Sequence, residues 1–179
     1  MAKIPISIPT MKKISRLLTL SILILLLSCK YYTFTPNLPK YIRDIHIMPF
    51  ENATFEYGLE IDLTEKVIDK FISDGTLKVV DYSEADAILS GTIKSYKSIP
   101  VSYDEYEQVK DYKLMITLSI RFEDKNSREI LWEEPSLSDY VHYYSSGSGG
   151  GIKTEYEARS ELIEKIANDV VRRTIEGWW

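Results

Sequence analysis

Between Lys113 and Glu123 the chain alternates without a break. Leu114, Ile116, Leu118, Ile120 and Phe122 fall on one parity, and Lys113, Met115, Thr117, Ser119, Arg121 and Glu123 on the other. A period of two is that of a β-strand. An apolar row on one parity alone describes a sheet covered on one face and wet on the other. A slip of one residue would turn the whole apolar row to water, so the register of this strand is strongly specified. The rest of the chain has to supply an apolar layer for one face only. In AILSGTIKSY, Ala87, Leu89, Gly91 and Ile93 share one face, and Ser90, Thr92, Lys94 and Tyr96 the other. Asp124-Lys125-Asn126-Ser127 reads as a hairpin turn, with a returning strand beginning at Glu129 to Glu133 and continuing over Tyr140 to Tyr144 after Pro135.

Two segments have the spacing of covering helices. Leu59, Leu63, Val67, Ile68, Phe71 and Ile72 recur every three or four residues, and Gly75 supplies a C-terminal stop. Thr154 stands three residues before Glu157, a capping box that opens a long helix. Its apolar face is Ala158, Leu162, Ile163, Ile166, Ala167, Val170, Val171 and Ile175. A strand over residues 42–48, ended by Pro49, precedes the first helix, and a short strand at Leu77 to Val80 follows it. The expected fold is α+β: a two-layer sandwich of a mostly antiparallel, four- to five-stranded sheet with two helices on one face. At 179 residues the chain suits one such domain, expected over residues 41–179.

The amino terminus has another character. Lys12, Lys13 and Arg16 precede an apolar run from Leu17 to Leu27. That run is shorter than the ~20 residues a membrane-spanning helix requires, and the pattern is that of a secretory signal over residues 1–28, with Met11 a second candidate start. Its end, Leu26-Leu27-Ser28-Cys29, resembles the bacterial lipobox. The resemblance implies cleavage by signal peptidase II between Ser28 and Cys29. The Cys29 thiol would then carry a diacylglycerol and its new amine an acyl chain such as palmitate. Several buried acyl chains, at ~0.8 kcal/mol per CH₂, hold a protein stably on a membrane. An incidental or buried structural cysteine is the plainer alternative. Lys30 stands where enteric bacteria place Asp to retain lipoproteins in the inner membrane, so the resemblance favours the outer membrane. Residues 29–40, with Pro36 and Pro39, read as a lipid-attached tether. Removing residues 1–28 takes away Lys3, Lys12, Lys13 and Arg16 and no acid, moving the net charge from −5 to −9.

Catalytic constellations are hard to find. Cys29 is the one cysteine, which excludes an internal disulfide and a four-thiolate zinc site. An acidic chain without clustered Lys and Arg is no obvious binder of nucleic acid. In GSGGGIKT, Ile152 puts Lys153 one residue out of phase with a phosphate-binding loop, leaving SSGSGGG at Ser145 to Gly151 as a flexible loop. His46 and His142 are the two imidazoles; neither has a partner at metal-ligand spacing, and no serine sits in a nucleophile elbow. Asp104-Glu105-Tyr106-Glu107 reads as a solvated hairpin connection rather than a pair of catalytic acids. The expectation is no enzyme, no cofactor beyond the lipid on Cys29, and no metal. The 13 tyrosines stand out. Tyr96, Tyr103, Tyr106 and Tyr112 gather about one hairpin and Tyr140, Tyr143 and Tyr144 about another. Tyrosine suits protein interfaces, and it also suits cross-strand packing on a wet sheet face. Trp178 and Trp179 close the chain, to dock under the sheet or meet a partner.

From Cys29 onward, the order of these elements and several short stretches resemble the LptE family of lipopolysaccharide-assembly lipoproteins. The most telling are Pro49-Phe50-x-Asn52, Ala85-Asp86-x-x-Leu89-x-Gly91 and Leu131-Trp132. The resemblance implies a lipid-anchored protein on the periplasmic face of the outer membrane. Its implied job is to plug and help assemble an LptD-like β-barrel and to help deliver lipopolysaccharide to the outer leaflet. The alternative is a periplasmic lipoprotein adaptor of another export or secretion complex. Lys94, Lys113 and Arg121 share the outward parity of adjacent strands, which makes them a candidate cationic row for lipid A phosphates. Ordinary solvated charges on the wet face are the plainer reading.

Overall fold

A computed structural model describes residues 38–144 and 153–177. The signal segment, Ser28 and Cys29, the tether as far as Asn37, the Ser/Gly loop, Trp178 and Trp179 lie outside the described residues. In chain order the elements are β1 (Asp44–Ile47), β2 (Glu51–Asn52), α1 (Leu59–Asp74), β3 (Lys78–Val79), β4 (Ala87–Tyr103), β5 (Val109–Asp124), β6 (Ile130–Tyr144) and α2 (Glu155–Glu176).

The sheet order is β3-β1-β4-β5-β6, and β5 pairs antiparallel with β4 along one edge and with β6 along the other. Its row Leu114, Ile116, Leu118, Ile120 and Phe122 is fully buried, as the alternation requires. Leu59, Leu63, Val67 and Phe71 of α1 pack against it, together with Ala158, Leu162, Ile163, Ile166, Ala167, Val170 and Val171 of α2. Both helices therefore lie on one face. Ile72 is exposed and Ile175 only partly buried, so the apolar stripes end slightly earlier than the spacing predicts. Gly75 closes α1 in the left-handed region (φ 74°), its N–H donating to the Phe71 carbonyl, and the Thr154–Glu157 capping box opens α2 with both reciprocal bonds.

The sheet is the mostly antiparallel layer expected, with six strands and a parallel portion on the β1 side of β4. β1 runs parallel to both β3 and β4, and β2 runs parallel to β4. The cause is local. Pro49 cannot donate to the ladder, so the first strand breaks at Met48 to Phe50 and resumes as β2 farther along β4. α1 then carries the chain back to the start of the sheet, and a strand that returns across a helix enters parallel.

The resemblance-bearing residues are structural. Phe50 is buried, its N–H donating to Thr64 Oγ1 at 3.0 Å. Its ring lies so close to Gly91 that a Cβ there would sit 2.6 Å from the Phe50 Cε1 and 2.7 Å from the Ser119 carbonyl oxygen. Asn52 accepts from the Thr54 N–H (2.9 Å) and hydroxyl (2.7 Å), and donates to the Glu56 carbonyl (2.8 Å) and Glu60 Oε2 (2.7 Å). It fixes the turn into α1. Asp86 Oδ2 accepts from the Arg43 and Asp44 N–H groups at 2.9 and 3.1 Å, pinning the start of β1 to the entry of β4.

At the same end, buried Asp124 organises the β5–β6 turn. It accepts from the Asn126 and Ser127 N–H groups (2.7 and 2.8 Å) and from the Tyr41 hydroxyl (2.8 Å). These bonds, the Ser127 N–H foremost, hold its carboxyl below the usual range. Its folded pKa is thus lower than its unfolded one. The stabilisation is complete above the unfolded value, about 3.9, and is lost as pH falls through the folded value.

Two outcomes follow from these contacts. Gly91→Ala is expected to lower unfolding stability by about 1–3 kcal/mol, the usual cost of overpacking a filled site. A urea midpoint equal to that of the unsubstituted protein would mean that Phe50 yields without cost. Asp124→Asn is expected to be less stable at neutral pH and to lose less on acidification below about pH 4 than the unsubstituted protein does. Urea midpoints across that pH range check this, and parallel acid profiles would remove Asp124 as the titrating group.

Candidate functional site: the projecting end of the sheet

Past Ser98 the sheet continues while its buried cover runs out. A bulge between Ile93 and Ser95 leaves Lys94 without a cross-strand partner on β5 and reverses the parity of β4. Tyr96 then pairs with Ile116 and Ser98 with Leu114, on the helix-covered side, while Lys97 pairs with Met115 and Ile99 with Lys113 on the open side. The sequence pattern puts Tyr96 outward; the bulge turns it inward, where it packs against the core.

Where α2 begins, a polar knot closes the covered part of the sheet. Glu155 accepts from the Tyr96 hydroxyl (Oε1, 3.1 Å) and the Tyr143 hydroxyl (Oε2, 3.2 Å). Tyr143 also shares a 2.7 Å hydrogen bond with Ser98 and stacks on Tyr112, with centroids 5.1 Å apart and planes at 12°. Burial, then the charge of Glu155, hold the Tyr96 hydroxyl well above its ordinary value, and burial likewise raises that of Tyr143. Both stay protonated donors at any physiological pH.

Beyond the knot, β4 and β5 reach out to a turn at Asp104–Gln108. Ile99, Val101, Tyr103 and Tyr106 are exposed on this projection. The Asp104 carboxylate is engaged by the Tyr106 and Gln108 N–H groups (2.8 and 2.9 Å) and Glu107 takes a left-handed φ of 60°, so the acidic tetrapeptide is a turn, as expected. Tyr140 and Tyr144 on β6 are exposed as well. This projection of three strands carries tyrosine and β-branched residues into water, the composition common at protein interfaces.

The three candidate cations lie on this sheet but not together. Lys94 Nζ donates to the Pro135 carbonyl at 3.0 Å, Lys113 lies 5.1 Å from the centre of the Tyr140 ring, and Arg121 pairs with Glu133 at 3.2 Å. Eight residues of one strand separate Lys113 from Arg121, about 27 Å at ~3.4 Å per residue, so one phosphate cannot meet both. His46 is half-buried, its Nδ1 3.0 Å from the Val80 carbonyl, and His142 is exposed, 3.1 Å from Asp111. Among the described residues no group of three His, Cys, Asp or Glu is placed to hold a metal ion, and no helix is long and apolar enough to cross a membrane.

Sequence reasoning misses the anchoring role of Glu155 and that of Arg159. The Arg159 guanidinium donates to Glu56 Oε1 (3.1 Å), the Tyr57 carbonyl (3.4 Å) and Asp62 Oδ2 (2.7 Å). Each of these pairings joins residues far apart in the chain, and only the capping-box position of Glu157 hints that α2 starts here.

With this geometry in hand, a family model described as LptE, lipopolysaccharide-assembly, matches residues 42–174. The chain belongs to the LptE family. The matched span runs from two residues before β1 into the last turn of α2, so it takes in every strand and both helices of the two-layer fold. No curated protein sequence matches closely enough to count as a relative. Solved structures show the same fold at low identity. A protein from Xanthomonas campestris is 14% identical with a TM-score of 0.53, covering 80% of this chain and 90% of its own. A hypothetical protein from Chlamydia trachomatis is 11% identical, TM-score 0.52, covering 76% and 97%. An uncharacterized lipoprotein B from Nitrosomonas europaea is 17% identical, TM-score 0.50, covering 77% and 84%. Members of the LptE family are lipopolysaccharide-assembly proteins rather than enzymes, in keeping with a surface of tyrosines and strands.

Glu155→Ala is expected to cost this LptE-family domain about 1 kcal/mol, since two partly buried hydroxyls lose their acceptor. Urea unfolding measures it, and a loss below about 0.3 kcal/mol would mean that water replaces the carboxylate fully.

Proposed function

We propose that this protein is a noncatalytic lipoprotein that plugs and helps assemble an LptD-like outer-membrane β-barrel, and that assists delivery of lipopolysaccharide to the outer leaflet. The observation that carries the reading is the family match across the whole two-layer domain, residues 42–174. The projecting end of the sheet supports it. Such a surface, apolar and hydroxyl-bearing together, suits a polar protein lumen better than bulk water. Cys29, freed by cleavage after Ser28, carries the diacylglycerol and the N-linked acyl chain and holds the domain at the periplasmic side of the membrane. Lys94, Lys113 and Arg121 are the candidate contacts for lipid A phosphates, acting at separate points rather than as one cluster.

The test is purification of the full-length, lipidated chain from detergent-solubilised outer membrane. A β-barrel protein of the LptD type is expected to co-purify in near-equal amount. Cys29→Ala is expected to abolish palmitate labelling and to release the chain from the membrane fraction. Absence of the barrel from the unsubstituted preparation would overturn the plug reading, and palmitate on the Cys29→Ala chain would overturn the lipid assignment.

A further inference from the structure

The loop between β2 and α1 holds two aromatic rings wholly in water: Phe55 is 109% exposed and Tyr57 92%. The first turn of α2 adds Tyr156 at 81%. Single exposed aromatics are commonplace. Three at one rim, on a backbone fixed from both sides, are not.

The fixing is visible bond by bond. Asn52 makes four hydrogen bonds that shape residues 52–60. Thr54 Oγ1 accepts from the Glu56 N–H at 3.1 Å. Gly58, at φ 76°, turns the chain into α1. Arg159, three residues beyond Tyr156, then clamps the loop through Glu56 and the Tyr57 carbonyl, and the start of α1 through Asp62. The loop and the first turn of α2 are thus tied by one guanidinium. Rings carried on such a support lose little freedom when covered, which is the property of an interface anchor.

The surroundings say what covers them. Glu56, Glu60, Asp62, Glu65, Glu155 and Glu157 lie in the loop and the first two turns of the two helices, against Lys66, Lys94, Lys153 and Arg159, of which Lys94 is held by the Pro135 carbonyl and Lys153 by Glu161. The Arg159 guanidinium is already shared between Glu56 and Asp62. The acids outnumber the cations here, and an excess of that sign favours lysine and arginine over lipid phosphates.

We propose that Phe55, Tyr57 and Tyr156 form a rigid docking ridge for a polypeptide surface offering an apolar pocket edged by lysine and arginine, and that this surface belongs to the barrel partner. The partner's identity rests on the function proposed above; the ridge and its preference for protein over lipid do not. The ridge lies beside the start of α2, where the helical cover ends, so a partner that receives the projecting strands also meets the rings.

The experiment uses the full-length lipidated chain and its Phe55→Ala/Tyr57→Ala/Tyr156→Ala variant. All three side chains are exposed, so an unchanged thermal midpoint is expected. The yield of co-purified barrel is expected to fall about tenfold, the loss typical of removing interface anchors. Pelleting with vesicles of lipopolysaccharide and phosphatidylglycerol is expected to be unaffected. A barrel yield that survives the triple substitution overturns the ridge and leaves the plug reading standing. Loss of vesicle binding with barrel yield intact makes the ridge a lipid site and overturns its assignment to protein. Absence of the barrel from the unsubstituted preparation overturns both. Should the triple variant lose stability, a photo-crosslinking residue at Tyr57, with one at Arg128 beside the opposite turn as control, decides the matter. A barrel adduct at Tyr57 supports the ridge, and an adduct at Arg128 alone overturns it.

Discussion

The buried row of β5, from Leu114 to Phe122, is the surface on which everything else is laid. Each of its five side chains meets residues from at least one helix or a neighbouring strand, and none is polar. Covering such a row stabilises at roughly 1.5–3 kcal/mol per large side chain. No other strand among the described residues offers so long an uninterrupted face. The helices follow from it, since each brings an apolar stripe to the same core. Close contact of Phe50 with Gly91 continues the same logic, because a ring from the β1–β2 break fills space that a side chain on β4 would otherwise take.

Function and fold part company along a single line across the sheet. On one side of the Glu155 knot, every inward residue of β5 is covered; on the other, Ile99, Val101, Tyr103 and Tyr106 stand in water. A domain seeking only stability would lengthen its helices or shorten its strands. On the function proposed above, these uncovered strands are the part that a barrel would cover.

Much of this was legible in the residues. The β5 alternation, both helical stripes, the Gly75 stop and the Thr154–Glu157 box are local patterns, and local patterns survive folding when they agree with the core. The failures share a cause as well. Period-two counting assumes an unbroken ladder, and one bulge after Ile93 defeats it, turning Tyr96 inward and stranding Lys94. The parallel pairing of β1 and β2 depends on where a helix returns the chain, which no strand records in its own sequence. Likewise the Arg159 clamp and the separation of Lys113 from Arg121 are facts of three dimensions: shared parity told which face each cation occupies, and not how far apart they stand.

The mixed sheet has a consequence for the order in which the chain gains structure. Ile45 pairs with Val79 across α1 and gains its second neighbour only when Ala87 is present, and Asn52 waits for Ile93. By contrast β4, β5 and β6 are joined by short turns, each nucleated by an aspartate. Closing short loops is fast and closing long ones slow. A chain delivered amino end first therefore holds β1 with only the two-residue β3 beside it, and β2 with no neighbour, until β4 has formed. The amino-terminal strands are thus the last to gain their full set of partners.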